Sequence, residues 1–203
     1  MAELTLTYFD FSGSRGEECR LALHAAGADF HDKRIKRDAW NEMKASTPFG
    51  GLPILEIEGK PALSETNAIL TYVGRRYGLL PSDPWEAARH EAVLSAGESL
   101  RSAIGPLRKA KDEDEKKKTR EEFISGYLKR WATNVDSQIE GPFVGGDALG
   151  VADIKLYISA HALSSGTFDY FPRDVLSPYK KFDALYKAVG EHAKIAEWRA
   201  MEH

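Results

Sequence analysis

The sequence predicts a mixed α/β unit followed by an all-helical domain, and three observations lead to that class. Over residues 4–78 short apolar runs alternate with helical patterns, the pattern of a sheet covered by helices. The segment Leu80-Pro81-Ser82-Asp83-Pro84 then interrupts the chain with two prolines, each without the amide that regular structure needs. Beyond it no strand pattern follows, and apolar residues return at steps of three and four, the period of a helix face. A linker at 81–85 therefore separates an α/β domain, 1–80, from a helical domain, 86–203.

The elements follow in order. Leu4-Thr5-Leu6-Thr7-Tyr8-Phe9 reads as a strand and Asp10-Phe11-Ser12-Gly13-Ser14 as the loop leaving it. Residues 15–26 set Leu21, Ala22 and Leu23 among charges before Gly27, a helix with its terminator. Residues 30–35 can pair as a second strand. Pro53-Ile54-Leu55-Glu56-Ile57 and Pro61-Ala62-Leu63 flank Glu58-Gly59-Lys60, a hairpin whose turn supplies its glycine. Residues 67–77 form the next helix, ended by Gly78. In the second domain Trp85, Ala88, Ala92, Ala96, Leu100, Ala103 and Leu107 fall on one helix face, and Phe123, Tyr127, Trp131, Val135 and Ile139 on another. The run 109–122 between them is nearly all charge and reads as a solvated helix end or turn. Segments 151–162, 179–189 and 193–201 complete the helical half.

Composition narrows the function classes. With 42% apolar residues the chain has material for a real core. Its 28 basic and 31 acidic residues leave a net charge of −3, so no global positive field draws nucleic acid or an anionic membrane. The opening residues, Met1 to Phe9, carry Glu3 and are too short for a signal peptide. No stretch approaches the ~20 apolar residues of a membrane span, and a cytoplasmic protein is the expectation. One cysteine, Cys19, leaves no internal disulfide, CxxC pair or structural zinc cluster. Its place inside the first helix suits a small core residue. Thiol chemistry would then use a thiol brought in by a ligand. The six histidines show no paired ligand spacing, and no metal is expected.

The motifs are Tyr8-Phe9 closing the first strand, Arg15-Gly16-Glu17 opening the first helix, and Asp38-Ala39-Trp40 with Lys44 in the following loop. Pro48-Phe49-Gly50-Gly51-Leu52-Pro53 and Glu65-Thr66-Asn67-Ala68-Ile69-Leu70 come next. In this order and spacing they resemble the cytosolic glutathione transferases. The Tyr-Phe start and the Trp and Lys of the loop look most like the sigma class, which includes glutathione-dependent prostaglandin D synthases. The resemblance implies a thioredoxin-like N-terminal domain that binds glutathione and an all-α C-terminal bundle. It implies an enzyme that conjugates glutathione, as co-substrate and without a metal, to a small hydrophobic electrophile. An isomerase or lyase on the same scaffold is the enzymatic alternative, and a non-catalytic relative such as the lens crystallins is the other. Family members are usually dimers, so a homodimer is implied as well.

The chemistry asked of these residues is specific. A thiol of pKa about 8.5 is mostly protonated at neutral pH, and each unit of depression corresponds to about 1.4 kcal/mol in favour of the thiolate. A phenolic donor on the sulfur and the positive end of a helix can supply that. Tyr8 is the implied donor, with Arg15 adding positive field and Ser14 the alternative partner, since aligning Arg15 requires one extra residue in the loop. Leu52 before a cis Pro53 would present its backbone to the cysteinyl unit as a short added strand. Thr66 is read as a helix cap that binds the γ-glutamyl carboxylate, with Glu65 meeting the γ-glutamyl ammonium. Trp40 and Lys44 are carried over for the glycine carboxylate. Gly51 stands where many relatives have lysine, which implies weaker glutathione affinity. Glu98 matches an acidic position that relatives extend across a dimer interface to the γ-glutamyl amino group. Asp153, in Gly150-Val151-Ala152-Asp153, reads as structural. The electrophile pocket is expected between Phe9, the loop through Ser14, and a helix face bearing Ala103, Ile104 and Leu107, with Tyr157 a further candidate.

Overall fold

The computed structural model describes residues 4–201, and the chain divides into two compact units. The first is built on a four-stranded sheet of β1 (Leu4–Phe9), β2 (Phe30–Ile35), β3 (Ile54–Ile57) and β4 (Leu63–Ser64), ordered β2-β1-β3-β4. β1 runs parallel to β2, from Leu4↔Phe30 to Phe9↔Ile35, and antiparallel to β3. Parallel neighbours need a crossover, which α1 (Ser14–Ala25) provides. Lying centrally, β1 buries Leu4, Leu6, Thr7 and Tyr8. Its pairing with β3 stops at Thr7↔Ile54, so Tyr8 and Phe9 run past that neighbour.

Short helical segments modify the expected loop between β2 and β3. α2 (Arg37–Met43) carries Trp40, and a 3₁₀ turn (Lys44–Ser46) follows. α3 (Thr66–Tyr77) buries Ile69, Leu70 and Val73, packs against α1, and ends at Gly78, whose φ of 76° suits a residue without a Cβ.

The second unit holds α4 (Pro84–Ile104, from Trp85), α5 (Glu113–Phe123), α6 (Lys129–Gln138), α7 (Val151–Ser164) and α8 (Lys180–Glu191). The charged run is helix rather than a mere end or turn. Asp112 caps α5 by accepting the Glu115 N–H at 2.8 Å, and a π-helical turn (Ile124–Leu128) carries the helix into α6. Capping and i,i+3 pairing hold an exposed polar helix that lacks an apolar stripe on its first turns. α7 is the core of this unit, with Val151–Ala160 buried throughout. Lys155 is among them and pairs with Glu98 of α4. Gly97 makes the room, since a Cβ there would meet the Lys155 side chain at 2.8 Å.

The helical domain does not run to the end of the chain as the periodicity suggests. From His192 onward the chain groups with the first unit. There α9 (Ala193–Ala200) packs on α1 and buries Ile195 and Trp198. The Trp198 ring lies 5.2 Å from His24 and 6.2 Å from Phe30, and its Nε1 donates to Glu17 Oε1 at 2.8 Å. Apolar spacing shows that a helix has a buried face, and it is silent on which neighbour covers that face.

Candidate active site

Tyr8 is the fixed point. Its side chain is 5% exposed, and its hydroxyl donates to Ser14 Oγ at 3.4 Å. Gly13 and Ser14 both hold positive φ, 105° and 61°. Ser14, first residue of α1, is thereby placed against the phenol, and strain of this kind in a non-glycine residue clusters at functional positions. Of the two expected helpers, Ser14 accepts the hydroxyl's hydrogen bond. Arg15 is the next, half-buried residue of α1.

Gly16 escaped the sequence reading as a site residue. A Cβ on it would lie 2.0 Å from Tyr8 Cδ1 and 2.4 Å from Cγ, so the phenol ring rests directly on the helix backbone. Its sequence signal was a glycine inside a helix, which is unfavourable by about 1 kcal/mol unless packing requires it. Arg20, one turn further on, is fully buried.

Aromatic rings surround the strand end. Phe9 and Phe11 stack with centroids 6.4 Å apart, Phe11 lies 5.7 Å from Tyr8, and the Trp40 ring meets Phe9 edge-on at 6.3 Å. Phe11 is 46% exposed, leaving an apolar surface beside the phenol.

The γ-glutamyl candidates stand at the start of α3. The cap position falls on Glu65 rather than Thr66, and Glu65 has an exposed side chain and a φ of 73°. Thr66, the first helical residue, is 3% exposed, and its Oγ1 is buried without a hydrogen-bond partner among the described residues. An orphan buried hydroxyl at a helix N-terminus suits an anionic ligand. Ahead of β3, the Leu52–Pro53 peptide is cis, and Ser64 Oγ donates to Pro48 O at 3.2 Å, tying that loop to β4. Gly51 has open space where a Cβ would stand. Lys44 is exposed, and its Cε lies 3.9 Å from where a Gly50 Cβ would be.

In the helical unit Glu98 is 27% exposed and engaged by the buried Lys155 ammonium, with Arg101 Nε at 3.9 Å. Ile104 and Leu107 are buried and Ala103 is half-buried. Asp153 accepts the Val144 and Gly150 N–H groups, each at 2.7 Å, as befits a residue that fixes the start of α7. Burial pushes its carboxyl up to about 6, against the pull of these backbone donors. Cys19 is buried in α1. No group of three or more His, Cys, Asp or Glu able to hold a metal exists among the described residues.

Comparison with known proteins adds an independent line. The family model described as the glutathione S-transferase C-terminal domain matches residues 99–202, and that of the N-terminal domain matches residues 4–75. Glutathione S-transferase 1 of Ascaris suum is 40% identical over 106 residues, 52% of this chain and 50% of that protein. Probable glutathione S-transferase 7 of Caenorhabditis elegans is 29% identical over 209 residues, covering 98% of this chain and 96% of that one. Among solved structures, prostaglandin synthase D of Nilaparvata lugens superposes with a TM-score of 0.84 at 28% identity, over 99% of this chain and 98% of that chain.

Proposed function

From the premise that this chain belongs to the glutathione S-transferase family, we propose that it is a glutathione transferase in which Tyr8 holds the glutathione sulfur as a thiolate for attack on a hydrophobic electrophile. The observation that carries this mechanism is the contrast between a locked phenol ring and a loosely held hydroxyl. The ring is buried against Gly16, while the O–H reaches Ser14 only at 3.4 Å. Such a donor can pass its hydrogen bond to an anionic sulfur without moving the ring, and apo geometries of this kind tighten on binding.

The remaining assignments extend the same reading. The unpartnered Thr66 hydroxyl and the α3 N-terminus bind the γ-glutamyl carboxylate, and Glu65 meets the ammonium. The Leu52 backbone ahead of Pro53 pairs with the cysteinyl unit, while Trp40 and Lys44 hold the glycine carboxylate. Open space at Gly51 leaves that end without one further cation. Arg15 adds positive field to the thiolate and Ser14 orients the phenol. Phe9 and Ser14 contribute to the electrophile pocket. The protein works as a cytoplasmic homodimer, in which Glu98 serves the γ-glutamyl amino group across the interface. The described structure contains no helix long and apolar enough to cross a membrane.

Tyr8→Phe tests the mechanism. With an aryl halide at neutral pH, kcat/KM should fall about 10²-fold, the scale of losing one preorganised donor to a developing or held anion. The loss should shrink as pH rises and the thiol ionises unaided, while calorimetry still shows glutathione binding. An unchanged kcat/KM at neutral pH refutes the role of Tyr8.

A further inference from the structure

We propose that Arg20 is the positioning residue of the active site, fixing by its forked guanidinium the place where Tyr8 presents its hydroxyl. The proposal rests on Tyr8 being the donor to sulfur. Arg20 is 0% exposed, and burying a full charge is costly enough that an apolar side chain would often make the more stable core. What the guanidinium touches gives a reason for keeping it. Nη2 donates to Phe9 O and Nη1 to Phe11 O, each at 3.1 Å. These carbonyls belong to the residue after Tyr8 and to the loop that carries the chain to Ser14. The Arg20 Cζ lies 5.8 Å from the centre of the Tyr8 ring. One side chain therefore grips the main chain just beyond the phenol and lies near the phenol itself.

The guanidinium is in turn held from two elements, one of them braced by a third. Its Nε donates to both oxygens of Asp32 on β2, at 2.9 and 3.0 Å, and Arg34 Nε shares that carboxylate at 2.8 Å. Glu17 Oε2, on α1, lies 3.5 Å from Nη1, and the other Glu17 oxygen accepts Trp198 Nε1 of α9 at 2.8 Å. Strand β2 and helix α1 thus meet the loop through a single planar group, and α9 reaches it through Glu17. Asp32 and Glu17 counter the charge of Arg20, and Arg34 is met by Asp32 and, at 3.8 Å, by Asp10, so the function lies in geometry more than in field. Lysine keeps the charge, but its ammonium has no planar fork to reach both carbonyls and Asp32 together.

Arg20→Lys is the decisive variant. Kcat with an aryl halide should fall about tenfold, since small misplacements of a reacting group cost one to two orders of magnitude. The pH dependence of kcat/KM should move to higher pH, and the glutathione Kd from calorimetry should stay within about twofold, because the bonds of Arg20 described above go to Asp32, Glu17 and the Phe9 and Phe11 carbonyls rather than to the residues proposed for the γ-glutamyl and glycine ends. In the Tyr8→Phe background Arg20→Lys should cost almost nothing more, as expected when one residue acts through another. Equal fold-losses in both backgrounds, or a wild-type pH profile, overturn the proposal. A fully active Tyr8→Phe enzyme would instead sink the underlying mechanism, which separates the two failures. Asp32→Asn keeps Arg20 but loosens it at a carboxylate that is 18% exposed, and it decides the matter if Arg20→Lys does not fold. A two- to fivefold loss of kcat, on the order expected for a partial misplacement, with the same upward pH shift supports the proposal; unchanged kcat and profile reject it.

Discussion

At the scale of single residues, the site depends on positions that carry no chemistry of their own. Gly16 has no reactive group, yet a methyl placed there would stand 2.0 Å from the Tyr8 ring. Gly16→Ala therefore sets two effects against each other. Alanine favours the helix by about 1 kcal/mol, whereas overpacking costs about 1–3 kcal/mol, so the net change in stability is small. Activity has no such compensation, because the ring must leave its bed and carry the hydroxyl with it. We expect the melting temperature to stay within about 10 °C while kcat/KM at neutral pH falls at least about tenfold. Thermal melts and steady-state assays on the same preparation check this. A fully active Gly16→Ala enzyme would show that the ring position is not what limits the reaction. The Thr66 hydroxyl is a buried group without a hydrogen-bond partner among the described residues, and the proposed γ-glutamyl carboxylate would supply one.

At the scale of elements, the start of α7 couples stability to pH. Asp153 is fully buried, and its carboxyl is raised from an ordinary 3.8 to about 6 by burial. Between about pH 4 and about pH 6 the folded protein thus keeps a proton that the unfolded chain releases. The unfolding free energy contributed by this group falls as pH rises through that window, by at most about 3 kcal/mol, and stays low above it. Asp153→Asn removes the titration. Urea midpoints compared between wild type and variant across pH 4–7 should show a flatter dependence for the variant between 4 and 6. Parallel curves would mean that the Val144 and Gly150 donors hold Asp153 ionised throughout. α5 makes a complementary point. Its sequence is nearly all charge, yet the Asp112 cap and the Glu113–Lys116 contact at 2.6 Å support a helix, because local bonds can define an element that has little face to bury.

At the scale of the whole molecule, the chain returns from the helical unit to finish on the first, where a buried hydrogen bond joins the last helix to α1. Trp198→Phe keeps the aromatic contacts with His24 and Phe30 but leaves Glu17 Oε1 without its indole donor. An unsatisfied buried acceptor costs about 1–3 kcal/mol, so denaturant midpoints should drop accordingly. Because Glu17 also flanks Arg20, kcat should fall with stability, and an unchanged kcat would confine Trp198 to a structural role. Much of this architecture was legible in the linear chain. Alternation against helical period separated the α/β unit from the helices, the paired prolines marked the break near residue 84, and the motifs around Tyr8, Pro53 and Thr66 placed a candidate site at the end of the first strand. Such signals are local, written in neighbouring residues and in the spacing of apolar groups. The sequence did not determine which group meets the Tyr8 hydroxyl, that Gly16 beds its ring, that Arg20 and Glu17 lie inside, or that the last helix belongs to the first unit. Those are matters of contact between segments up to 181 residues apart, and only the packed chain decides which charge is buried, which partner satisfies it, and which face covers which.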